Sequence, residues 1–125
     1  NKNIIKSQIN TSKIIFRKIV DENGDLADTL IFYFENKKNC NFFLQKYEEA
    51  GYGTKNVPEA IKWHFAGHME HMFINHLHYK KNWNVEWKKS EDLLQRSIAI
   101  PILVKSTSDE LSKQIDIINK ILSQI

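Results

Sequence analysis

The chain has 125 residues, 42% of them hydrophobic and 26% charged, with a net charge of +3 at pH 7; this is the composition of an ordinary globular protein with one domain and a modest core. The basic residues are scattered, apart from pairs such as Lys37-Lys38, Lys80-Lys81 and Lys88-Lys89, and no stripe of cations interleaved with aromatics stands out, so no nucleic-acid partner is expected. A lone cysteine, Cys40, excludes an internal disulfide and fits a reducing, cytoplasmic setting, while the apolar runs are too short for a membrane span and no signal-peptide pattern is visible.

The opening "NKNIIKSQINTS" is polar and reads as loosely helical or irregular. It starts with Asn and no Met, from which a processed chain or a fragment of a longer protein is expected. Lys13 to Val20, "KIIFRKIV", is rich in β-branched residues and predicts a strand. Asn23-Gly24 inside "DENGD" is a turn signal. Asp28 to Glu35, "DTLIFYFE", predicts a second strand, and its near-continuous apolar run predicts burial on both faces. A helix follows over "NKKNCNFFLQKYEEAG": Phe43, Tyr47 and Ala50 share one side, Leu44 widens it, and Gly51 is the stop.

After a loop, "YGTKNVP", Pro58 is expected to open a histidine-bearing stretch from Glu59 to about His78. A loop and a short helix starting near Ser90 come next. Ser97 to Val104, "SIAIPILV", predicts a third strand, with Pro101 favouring an edge position or a break in pairing. Thr107 to Glu110, "TSDE", is a capping box. It opens a helix whose Leu111, Ile115, Ile118, Leu122 and Ile125 line one side. The fold class expected is α+β: a small antiparallel sheet of about three strands with helices packed on one face.

The stretch "AIKWHFAGHMEH" sets His64, His68 and His71 within eight residues. A zinc-protease helix of the form H-E-x-x-H needs a glutamate after its first histidine, to polarise the bound water. Phe65 stands there and can do no proton chemistry. A self-contained metal-binding domain using His64, His68, His71 and perhaps His78 stays open as an alternative, as does a non-catalytic interaction module.

Three runs in order carry a resemblance: "GDLADTLIFYFEN", then "EEAGYGTKNVPEAIKWHFAGHMEHM", then "LLQRSIAIPILVKSTSDELSKQIDIINKIL". Together they resemble the C-terminal small domain of the DegT/DnrJ/StrS family of sugar aminotransferases, fold-type I enzymes that use pyridoxal phosphate (PLP). The last run matches best in order, spacing and residue type. "WHFAGHMEH" is similar to a W-H…W-D-H variant, with Met69 in place of Trp, Glu70 in place of Asp, and His71 matching. The resemblance covers the chain from about Lys13 onward.

It implies that residues 1–125 are a single C-terminal small domain, without the large domain that carries the cofactor lysine. It implies PLP and a nucleotide-sugar substrate for the full-length enzyme, a homodimer, no cofactor on this chain alone and no catalytic residue or metal within it. The loop from Tyr52 to Pro58 and the stretch from Trp63 to His71 would face substrate, with Trp63, His64 and His71 as the substrate-binding residues. A histidine there would donate a hydrogen bond to a hydroxyl or phosphate, and Trp63 would stack on a ring.

Overall fold

A computed structural model describes residues 1–55, 65–82, 85 and 87–125. The chain divides into two compact units, residues 1–55 with 96–125, and residues 56–95. The first unit carries the sheet. Strands β1 (Ile14–Phe16), β2 (Thr29–Phe34) and β3 (Ser97–Pro101) lie in the order β1-β2-β3, antiparallel throughout. Ile15 pairs with Tyr33, and Phe32 with Ile98.

Along β2 the side chains alternate as the pleat requires. Leu30, Phe32 and Phe34 are buried, whereas Thr29, Ile31 and Tyr33 are only half-buried. Burial on both faces, expected from the unbroken apolar run, is therefore not found. One face of β2 is fully buried and the other only half-buried, so alternation wins over composition. Three helices cover that face: α1 (Lys2–Gln8), α2 (Lys37–Glu49) and, at the end of the chain, α5 (Ser108–Leu122). The expected α+β layer arrangement is what the unit shows.

Helix α1 turns a loosely structured expectation into a core element. Ile5 and Ile9, four apart, both enter the core. Lys2 is buried as well, because its ammonium is hydrogen-bonded to Asp25 in the β1–β2 connection. Asn119 on α5 fastens the end of α1 twice, accepting from the Asn10 N–H at 2.8 Å and donating to the Gln8 carbonyl at 3.0 Å. Strand β1 stops at Phe16 rather than Val20, although the Arg17 N–H still reaches the Ile31 carbonyl at 2.9 Å. Val20 is exposed.

Helix α2 starts where the Asn36 side chain accepts the Asn39 N–H. Cys40, Phe43 and Tyr47 line its buried side, and Ala50 is exposed. The helix ends as Gly51 predicts. With φ at 86° that glycine takes a conformation that other residues resist. The Gly51 N–H bonds back to the Glu48 carbonyl and the Tyr52 N–H to the Tyr47 carbonyl, a Schellman ending. The apolar contact that accompanies such an ending is here a stack of the Tyr47 and Tyr52 rings, 5.0 Å between centroids.

The edge strand β3 stops at Pro101 rather than at the expected Val104, because the proline lacks an N–H for the ladder; the Ile102 N–H still reaches the Asp28 carbonyl at 2.8 Å, but Leu103 and Val104 are exposed. Arg96, just before that strand, donates to the Phe34 carbonyl at 2.7 Å. Helix α5 carries the full capping box: Thr107 accepts the Glu110 N–H, and Glu110 accepts the Thr107 N–H at 2.8 Å. Leu111, Ile115, Ile118 and Leu122 are buried, joined by Ile121, with Ile125 packed on the core edge.

The second unit contains a 3-10 turn, Ala66–His68, followed by the short helix α3, Glu70–Phe73, and by α4, Lys88–Gln95. Helix α4 begins within two residues of the expected Ser90. Pro58, expected to open the histidine stretch, lies outside the described residues. Among the described residues no helix is long and apolar enough to cross a membrane.

Candidate functional site

The histidine stretch is the first place to look. Trp63 and His64 lie outside the described residues. His68 and His71 are described, and they do not share one continuous α-helix. His68 closes the 3-10 turn, Met69 breaks the regular geometry with φ at −100°, and His71 sits one residue inside α3. His71 is exposed and makes no side-chain hydrogen bond or ion pair with another described residue.

His68 is committed elsewhere. Its Nε2 lies 3.1 Å from Glu91 Oε1 on α4, which also accepts from Gln95 Nε2. Its ring meets the Phe65 ring edge-on, 5.4 Å between centroids. Phe65, the residue that replaces a catalytic glutamate, is buried. Gly67 makes that burial feasible, since a Cβ there would stand 2.3 Å from the Phe65 ring. So Phe65 is a packing anchor, and the glycine that looks like a loop feature is a space requirement.

Further along, the His78 N–H donates to His76 Nδ1 at 3.2 Å, leaving only Nε2 of His76 open. The Tyr79 hydroxyl donates to the Glu70 carboxylate, and that bond raises the Tyr79 pKa above its ordinary value. Among the described residues no group of three or more histidine, cysteine or acidic side chains converges as a metal site. His68, His71 and His78 thus do not come together in the way the metal-binding alternative requires.

The first unit holds a different feature, a cleft of about 680 Å³. Three distant segments build it. Gly51, Tyr52 and Gly53, just past α2, form one side. Pro101 at the end of β3 and Leu103 to Ser106 in the connection to α5 supply the apolar wall and Lys105. Glu110, Lys113 and Gln114, three and four residues apart on α5, form the last side. Tyr52 belongs to the loop expected to face substrate. Gly53 belongs to it too, and the other lining residues carry no joint signal in the sequence, because they become neighbours only when helix, strand and loop are assembled.

Tyr47 supports the cleft from beneath. It is stacked between Phe43, at 5.4 Å, and Tyr52, at 5.0 Å. Its hydroxyl accepts from Gln114 Nε2 at 2.7 Å. Burial pushes its phenol up to about 12. Glu110 is turned into the helix cap, and the Thr107 N–H and hydroxyl that it accepts hold its carboxyl below the ordinary range. Lys55 closes the loop beyond Gly53. Its N–H pairs with the Ala99 carbonyl at 2.7 Å, and its ammonium bonds Asp28 and Thr29. No protein-family model and no curated protein matches the chain.

Proposed function

We propose that the chain is the C-terminal small domain of a PLP-dependent aminotransferase acting on a nucleotide-linked keto sugar, where it helps form the substrate mouth. The observation that carries this reading is the ordered run from Leu93 to Leu122. In it, arginine precedes a strand ending at a proline, and a capped helix with isoleucines at i+3/i+4 spacing follows. The α+β architecture is compatible with it.

The described residues do not fit the cofactor by themselves. PLP needs a lysine able to form a Schiff base and groups around its phosphate and ring nitrogen. Lys2 is committed to Asp25, Lys46 to Glu49 and Lys55 to Asp28. The half-buried Lys6 lies over the Phe16 ring. The remaining described lysines are exposed. On this reading the cofactor is held by a large domain outside these 125 residues, and full-length subunits pair as dimers. The part left to this chain is to orient substrate: Trp63 by stacking, His64 and His71 by donating hydrogen bonds to hydroxyl or phosphate oxygens.

The test is the intact mass and N-terminal sequence of the protein from its native source, with an absorbance scan for bound PLP. A longer chain, yellow with cofactor, is the expected result. A native chain of this length, colourless, would overturn the aminotransferase activity, and stoichiometric metal in it would restore the histidines as ligands.

A further inference from the structure

The cleft has an unusual division of labour in its lining. Its volume of about 680 Å³ lies in the range of small-molecule sites. One aromatic ring, Tyr52, lines it with its position already fixed by the stack on Tyr47. Pro101, Leu103 and Val104 supply an apolar wall, with Leu103 and Val104 largely exposed as things stand. Lys105 and Lys113 are exposed and make no ion pair among the described residues. Against these two lysines stands one carboxylate, Glu110, already bonded to Thr107. The lining thus keeps an excess of positive charge beside a preordered ring.

The two glycines leave room. A Cβ at Gly53 would meet no atom within 4 Å, and no positive φ requires a glycine there. Its lack of a side chain is thus not demanded by packing or backbone geometry, and it keeps the rim beside Tyr52 open. Gln114 is held by its amide to the Tyr47 hydroxyl, which leaves its carbonyl oxygen available to a donor on a ligand.

We propose that this cleft binds a small anion built on a flat aromatic ring, the ring stacking on Tyr52 and the anionic group meeting Lys105 and Lys113. Stacking on a fixed aromatic gains affinity without ordering a mobile side chain. Charge-assisted bonds from two ammonium groups select the anion. The inference uses only the first unit and stands apart from the aminotransferase reading.

The experiment titrates the intact chain, free of PLP and sugar, with adenosine 5′-monophosphate, with adenosine and with inorganic phosphate, following backbone amide shifts by NMR. Adenosine monophosphate should shift the amides of Gly53, Ser106, Lys113 and Gln114 in a saturable way, and bind at least about tenfold tighter than either part alone, since each tenfold is a modest increment of binding free energy. Lys105→Gln and Lys113→Gln, both at exposed positions, should each weaken the nucleotide severalfold and leave adenosine unchanged. Gly53→Leu, which fills the rim in open space, should abolish binding while the rest of the spectrum stays native. Equal binding of phosphate and nucleotide would reduce the site to surface lysines and overturn the proposal. So would shifts scattered over the surface, or nucleotide binding undiminished by Gly53→Leu.

Discussion

Replacing Tyr47 with phenylalanine should make the chain less stable at neutral pH and more resistant than the natural chain at high pH. At neutral pH the variant keeps the ring stacked between Phe43 and Tyr52 and loses one hydrogen bond, Gln114 Nε2 to the hydroxyl at 2.7 Å. Such a bond is worth about 1 kcal/mol net, and Gln114, half-buried at the cleft, can turn its amide to water. At high pH the sign changes. The folded phenol titrates near 12, the unfolded one near 10. Between these values the unfolded chain has released the proton and the folded chain still holds it. Stability is therefore full below pH 10 and falls as pH rises towards 12, by at most about 1.4 kcal/mol per pH unit. Phenylalanine has no proton to lose, and the other tyrosines are common to both proteins. The two stability curves should then cross at about pH 11. The assay is urea unfolding by circular dichroism at intervals from pH 7 to pH 12. Curves that run parallel over this whole range would refute the burial of the phenol, and curves that coincide at neutral pH would refute its bond to Gln114.

Four further outcomes are expected. Thr107→Ala, which dismantles the cap of α5, should cost about 1 kcal/mol in urea unfolding, and Thr107→Ser should restore most of it. Burial raises the Cys40 thiol to about 11, so at pH 8 it should react with a disulfide reagent roughly a hundredfold more slowly than in urea, in line with its thiolate fraction. The Lys2 hydrogen bond holds Asp25 below 3.8; its contribution is present above that value and lost as pH falls through the lower folded one, so Asp25→Asn should flatten the acid limb of the stability profile below about pH 4. Gly67→Ala should expel the Phe65 ring, at about 1–3 kcal/mol for an overpacked site, with faster amide exchange confined to residues 65–95.

The parts of the fold that can be read from the sequence are those whose signals are local. The capping box and the isoleucine spacing define α5, Gly51 ends α2, and Pro101 ends β3 at a sheet edge. The misreadings have one physical cause, which is that burial depends on what else is present. In β2, Ile31 and Tyr33 look as apolar as Phe32, yet they stay half-buried, on the side away from the core that the three helices line. Near the start of the chain Ile5 in α1 and Ile9 just after it are buried while the neighbouring Ile4 is exposed, and it takes the assembled core, α5 included, to set them apart. The candidate site divides in the same way. The histidines announce themselves by type, but His68 is occupied by Glu91, a partner twenty-three residues away. Of the cleft only Tyr52 and Gly53 are legible in the sequence, as part of a loop, because Lys105 and Lys113 join them only in three dimensions.

The clasp between the two ends of the first unit has a consequence for how the chain matures. Asn119 grips Gln8 and Asn10, partners more than a hundred residues away. Helix α1 is made more than a hundred residues before the helix that fastens it. At about 5–20 residues per second, the interval is on the order of 5–20 seconds. Throughout it Ile5 and Ile9 have no completed core to enter, and a seven-residue helix does not hold itself together in water. The nascent chain thus carries a sticky segment until α5 has emerged, and this is when a holding chaperone would find it.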